Sequence, residues 1–486
     1  MENELVYKDL SYMEVLRNYS FDSKMLACQK YASRIMDISE VSMSLAYREN
    51  IMPWELESFT MFAILYNDDT STEPLTSDVF ANVITVLRNY WHHQLTIAEQ
   101  NGTYSEDFFM ISAIQQFPVQ GLILQKLFRY AYIFDFENER VSFKQVFHDT
   151  FSTEYKSFDK AAFAVYVSSC NGTGISESQR SRLMQIALSD KNVMNALQID
   201  KEVYLEKLRE TYKETITDYY YGLKVQYLWP IIGGKEYNYI PLPYLMINAV
   251  TESLLQRITM GNKALRNSFG KEVLEKYLYD IYSEVSTVTW ISPEIEYKIG
   301  RDDKRSSDVL VAENDFCVFY DTKALSPNLK IRKFDRDEIG KNVKLYSEAV
   351  VEIYVQVKNY CNGYYSLDKT YEKKNIFGVV VLWDDSYVSR KAVYDNVFLC
   401  QDYSDVEKEY IHSHIKIVSL RQIEHMVLQN TSFLISLKQQ VNNPEEWNYM
   451  NYVKATTENG IIPCYEKYVG DLKARVKNMT DSQYTI

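Results

Sequence analysis

The chain holds 486 residues with 53 Lys and Arg against 66 Asp and Glu, a net charge of −13, which argues against a protein that coats nucleic acid by bulk electrostatics. Apolar residues make up 46% and charged residues 24%, too apolar for a disordered chain, and the length suits two or three domains whose cores need no disulfide staples. Only 15 residues are glycine and 10 proline; neither GxxxxGK[ST] nor GxGxxG occurs, so glycine loops that cradle phosphate are excluded and helices are favoured over turn-dense all-β folds.

In chain order, residues 1–228 read as helix after helix. Met25 to Leu45 carries apolar residues at three- and four-residue spacing, and Ser77 to Thr96 repeats this with Val79, Val83, Val86 and Leu87 on one stripe. Tyr104 to Phe136 is apolar over much of its surface and is expected at the centre of this all-α domain. Residues 229–262 form a crossover segment: Trp229 to Pro243 concentrates Pro and Gly, and a helix is expected from about Tyr244 to Thr259. Residues 263–425 form the second domain. It opens with a helix from about Leu265 to Glu284, followed by strands at Glu294–Ile299, Ser307–Val311 and Phe316–Asp321. A long helix, Glu338–Tyr360, comes next. Ile376 to Trp383 is a continuous apolar run, the mark of a strand buried on both faces, and Ile415 to Leu420 offers another. Helix, three strands, helix and strand give an α/β core with a mixed sheet behind a helical domain. Residues 426–486 read as a helical extension.

The six cysteines are never closer than Cys361 and Cys400, so no CxxC metal or redox spacing exists. The acidic start MENELVYKDL lacks an apolar signal-peptide core, and no stretch suits a membrane span. A cytoplasmic protein with no membrane partner is expected. His92-His93 and His412-x-His414 have no carboxylates at metal-binding spacing and read as structural or surface histidines; Tyr219-Tyr220-Tyr221 reads as packing.

The informative stretch runs from Ser307 to Lys323. Asn314-Asp315 suits a two-residue turn between apolar runs. Centring a hairpin there pairs Glu313 with Phe316, then Ala312 with Cys317, Val311 with Val318, Leu310 with Phe319, Val309 with Tyr320, and Asp308 with Asp321. Directly opposed residues have Cβ atoms about 5 Å apart, and two like charges there need an offset. A divalent cation supplies it: one or two carboxylates, with water and substrate phosphate, describe a Mg²⁺ site, with Mn²⁺ as a substitute. Lys323 lies two residues past Asp321 and shares its face, where an ammonium can position a metal-bound water or meet phosphate charge.

Asp, a short hairpin and then Asp-x-Lys resembles the active-site pattern of the PD-(D/E)XK nuclease superfamily, with Ser307-Asp308 in place of Pro-Asp. Members carry a glutamate on the helix before the hairpin in a form like G…(F/L)E-x-Y; Gly270, Leu274-Glu275 and Tyr277 match it, so the resemblance assigns Glu275 to the metal. Several branches carry a Gln or basic residue on the following helix, and Gln356 takes that place. The likeness covers about 265–385. It implies a restriction-endonuclease-like core cutting DNA, with RNA not excluded, in bacterial phage defence or restriction. Seven positions begin a [DE]-x-Lys, but only Asp321 ends an apolar strand, follows a second strand with Asp in register and precedes a long helix.

Glu294 and Glu296 are further candidate ligands. Lys330, Arg332, Lys333, Arg336, Lys341 and Lys344 give residues 326–345 six basic side chains against three acidic ones, a local patch suited to phosphate contact. The helical first half would recognise substrate, sense a signal, self-associate or hold a partner subunit. The alternative is a binding or adaptor protein whose nuclease-like fold is inert, which the −13 charge favours.

Overall fold

The computed structural model describes residues 10–100, 102, 121–171, 174–211, 225–234, 236–324, 335–383, 388–441 and 460–481. The chain is a mixed α and β protein that divides into two units: Met1–Gly261 with Val469–Ile486, and Asn262–Tyr468. The segment 426–486 is therefore shared, and the division falls within the helix Pro463–Asp481.

In the first unit, side-chain caps punctuate the helices. Ser20, Ser42, Ser142 and Asp190 accept backbone N–H groups at the starts of Phe21–Arg34, Met43–Glu49, Phe143–Phe151 and Lys191–Leu197. Ser176 and Gln179 form a capping box at the start of Glu177–Ala187. The periodicity over 25–45 belongs to two helices, parted by a Met36–Val41 bridge. Pro53–Leu65 and Tyr155–Ser169 are buried along almost their whole length, as expected of central helices. Of Tyr104–Phe136, expected to be central too, residues 104–120 lie outside the described residues, as do Tyr219, Tyr220 and Tyr221.

This unit is not all-α. β1 (Gln198–Asp200) runs parallel to β2 (Ile231–Gly233), which pairs antiparallel with β3 (Asn238–Tyr239). The stretch from Trp229, expected as a crossover, is thus built into the first unit's own sheet. The following helix is broken at Thr251 (φ −115°, ψ −103°) into Leu245–Val250 and Glu252–Thr259.

The second unit is built on a five-stranded mixed sheet. β4 (Trp290–Pro293), β7 (Val309–Glu313) and β8 (Phe316–Lys323) run antiparallel; β9 (Ile376–Leu382) lies parallel to β8, and β10 (Ile415–Ser419) parallel to β9. One expected strand is displaced. Glu296–Ile299 is β5, and it leaves the sheet as a ribbon with β6 (Asp302–Arg305), the chain reversing at Gly300 with φ 63°. The place beside β7 goes instead to Trp290–Pro293, where proline, lacking an N–H, ends the strand.

The helix Arg336–Cys361 lies on one face of this sheet. Tyr346, Ala349, Val350, Ile353, Tyr354 and Val357 are its buried stripe, and they share a core with Leu310, Phe319, Val380 and Ile417. Gly378 in β9 makes that seat possible, because a Cβ there would stand 2.3 Å from Ile353 Cγ2. The helix before the hairpin is continuous but changes pitch: Lys263–Ser268 is α, Phe269–Leu274 is π, and Glu275–Ser283 is α again. Tyr282 packs on Tyr320 of β8 with ring centres 5.0 Å apart and hydroxyls 2.5 Å apart.

Candidate active site

The hairpin places the first residues of the site. Its ladder runs from Glu313–Phe316 through Val309–Tyr320, the register expected from the Asn-Asp turn, and Asn314 adopts φ 53°, which asparagine tolerates. The sixth expected pair departs from the ladder. Asp308 sits in a bend just before β7, and its Oδ2 accepts hydrogen bonds from Thr322 N at 2.7 Å and Thr322 Oγ1 at 2.9 Å. The Asp308 carboxylate is thus tied to the residue after Asp321. Burial raises its proton affinity; the Thr322 donors and Lys323 work against this.

Asp321 is 7% exposed in the last part of β8. Burial first, and then the Asp308 charge, push its carboxyl up to about 7. The Lys323 ammonium lies 2.8 Å from Asp321 Oδ2. That contact is a close ion pair to one oxygen of a buried carboxylate, made by a single ammonium rather than by a pair of parallel donors. Lys323 also reaches Glu352 Oε2 at 3.2 Å. Burial works to discharge this lysine, but Asp321 and Glu352 outweigh burial and hold it charged.

Glu275 begins where the π segment ends. Such wide turns recur at functional sites. This one sits where the helix closes on the end of β8: a Cβ on Gly270 would lie 3.1 Å from Ala324 Cβ, and Arg266 Nη2 donates to Ala324 O at 3.1 Å. Burial, and then the charges of Asp308 and Glu294, push Glu275 up to about 8, with Lys271 opposing. Glu275, Asp308 and Asp321 thus all have raised proton affinity, and Glu275 and Asp321 each feel the charge of Asp308, a clustering that recurs at functional sites.

The following helix reaches the site through two residues. Gln356 Oε1 accepts from the buried Ser307 hydroxyl, and the Gln356 backbone carbonyl accepts from Tyr365 OH at 3.0 Å. Gln356 therefore fixes the loop that carries Asp308, whereas the Lys323 partner on this helix is Glu352, one turn earlier. Glu294 and Glu296 are held by Arg305 at 3.1 and 3.4 Å. Of the basic patch, Lys330, Arg332 and Lys333 lie outside the described residues. Lys341 pairs with Glu338 at 2.9 Å and Lys344 with Glu348 at 4.0 Å on its own helix, and Arg336 opens that helix. His414 is stacked between Phe377 and Tyr410.

Thr322, Ser307 and Glu352 escaped sequence reasoning. The one signal for Glu352 was its position four residues before Gln356, which puts both on one face of the helix.

The donor set suits a particular kind of metal site. Among the described residues no group of three or more His, Cys, Asp and Glu side chains is gathered closely enough to cage an ion. Two adjacent aspartates, one of them buried and compensated by a single ammonium, match a hard cation held by one or two carboxylates and otherwise by water and phosphate, as Mg²⁺ is. They do not suit a closed structural site. Among the described residues no helix is long and apolar enough to cross a membrane, and all six cysteines are free thiols. No family model, curated protein or solved structure matches the chain.

Proposed function

We propose that the second unit is a Mg²⁺-dependent nuclease of the PD-(D/E)XK kind, with a restriction-endonuclease-like core, hydrolysing phosphodiester bonds of DNA. The observation that carries this reading is the joint arrangement at the end of β8: Asp308 and Asp321 brought together at the hairpin base, with Lys323 2.8 Å from Asp321. Support also comes from Glu275, placed by the π turn with its carboxyl pushed up to about 8. Asp308 and Asp321 would hold the cation, Mg²⁺ or Mn²⁺, with Glu275 joining directly or through water. The bound cation supplies Lewis acidity toward a phosphate oxygen and toward the attacking water. Thr322 fixes Asp308 in the holding position through two hydrogen bonds. Lys323 presents a permanent positive charge beside the water and the scissile phosphate. Gln356 steadies the Ser307-Asp308 loop. The bacterial defence or restriction setting, a cytoplasmic location and a recognition or assembly role for the first unit rest on the resemblance and on composition.

The adaptor reading draws on a specific observation as well. Lys323 is paired on two sides, and no three-ligand cage exists among the described residues. The deciding experiment incubates plasmid, linear and single-stranded DNA with Mg²⁺ and the wild-type chain, Asp321→Ala or Lys323→Ala. Cleavage by the wild type alone is expected. Equal cutting by all three marks a contaminant and removes the nuclease reading.

A further inference from the structure

Lys323 has two carboxylate partners, and they differ in kind. Asp321 is buried, and in the proposed reaction it must serve a cation. Glu352 is largely exposed, with 58% of its side chain accessible, and stands on the helix Arg336–Cys361 rather than on the hairpin. The ammonium lies 2.8 Å from the first and 3.2 Å from the second. When Asp321 is given over to a cation, repulsion between the cation and the ammonium weakens the hold of Asp321 on Lys323. With no second partner the ammonium would either compete for Asp321 or swing into solvent.

We infer that Glu352 is a positioning residue: it receives the Lys323 ammonium when Asp321 takes a cation, and so keeps the lysine beside the reacting phosphate. The inference rests on the nuclease reading of the same site. The geometry is prepared for this exchange. Glu352 is next in sequence to Ile353, whose side chain is seated against Gly378 of β9, so its backbone cannot drift from the sheet. Four residues on, Gln356 is tied to Ser307 beside Asp308. The same helix face therefore sets both the loop that carries one aspartate and the partner of the lysine beside the other. A glutamate is required rather than its amide, because only a charge can compete with Asp321 for an ammonium.

The test is a double-mutant cycle on the full chain, with Mn²⁺ as the probe and free Mn²⁺ counted by electron paramagnetic resonance. Glu352→Gln should weaken Mn²⁺ binding about threefold, the effect of one partly exposed ion pair, because Lys323 is then left on Asp321 alone. Lys323→Met should tighten binding, and adding Glu352→Gln to it should change nothing further. Glu352→Asp should restore part of the loss. In cleavage, Glu352→Gln should lower kcat about tenfold with KM within about twofold. An equal weakening of Mn²⁺ by Glu352→Gln with and without Lys323 means a plain loss of negative charge and overturns the inference while leaving the metal site standing. A cycle that couples as expected in a chain that cuts no DNA supports the exchange and overturns the nuclease reading. Absence of Mn²⁺ binding in every variant overturns both.

Discussion

Asp159 in the first unit and Asp321 in the second are both buried aspartates facing a basic side chain. Asp159 is 1% exposed, and Arg475 grips it with two parallel bonds, Nη1 to Oδ1 at 2.7 Å and Nη2 to Oδ2 at 2.9 Å; Nη1 also donates to Lys156 O at 2.7 Å. Every oxygen of that carboxylate is matched by a directed donor. Asp321 is nearly as deep, but its lysine makes a single contact with one carboxylate oxygen, the Thr322 donors go to Asp308, and Asp308 and Glu275 add like charge. A satisfied pair is a staple: it holds the end of the chain onto the first unit. A carboxylate matched by one ammonium and crowded by like charges makes sense where something else is to be bound.

The largest expected effect separates these two roles directly. Asp159→Ala strands the Arg475 guanidinium and should cost about 2–4 kcal/mol of stability in urea denaturation. Asp321→Asn should cost no stability, and without metal at pH 8 should raise the midpoint, while cleavage falls on the order of a thousandfold. If both substitutions destabilise alike, Asp321 is a staple too.

Gly378→Ala comes next. A methyl group there would sit 2.3 Å from Ile353 Cγ2 and 3.3 Å from Ile415 Cγ1, so the helix must shift or the strand bend, at about 1–3 kcal/mol. Because Glu352 adjoins Ile353, cleavage should fall with stability. The Asp159–Arg475 pair belongs to the other unit, and the unfolding transition of that unit should not move. A Gly378→Ala chain of full stability and activity would mean the helix seat does not set the site.

Parts of this architecture were legible in the sequence, and the reasons are physical. The hairpin could be registered residue by residue because two apolar runs flank an Asn-Asp turn and a one-residue slip would invert every side chain. β9 announced itself as an unbroken apolar run because it is buried on both faces. The β5–β6 ribbon was missed in part because Asp302 to Arg305 is exposed on both faces and carries no hydrophobic period. The strands β1 to β3 span two or three residues each, too few to show a period. The Asp308 bend was invisible because a side-chain acceptor for Thr322 N decides it, not a pattern. Glu352 resembles any other helical glutamate until Gly378 places its helix against the sheet.

The smallest expected effect is also the most diagnostic of charge. Burial and neighbouring carboxylates raise Asp321 to about 7 and Glu275 to about 8, from ordinary values of 3.8 and 4.5. In the metal-free fold these groups hold protons that the unfolded chain has already lost. Their contribution to stability is therefore full below about pH 4 and fades as pH rises through 7 and 8. A cation needs them ionised, so its binding competes with those protons. Mg²⁺ should barely change the melting temperature at pH 6 and should stabilise the second unit at pH 8.5, by about 1.4 kcal/mol when Mg²⁺ is near ten times its Kd. Asp321→Asn should flatten this dependence, and the unfolding transition of the first unit, anchored by its fully matched aspartate, should ignore Mg²⁺ at both pH values. A Mg²⁺ shift of equal size at pH 6 and pH 8.5 would place the ion away from Asp321 and Glu275, and the contrast between staple and site would lose its chemical basis.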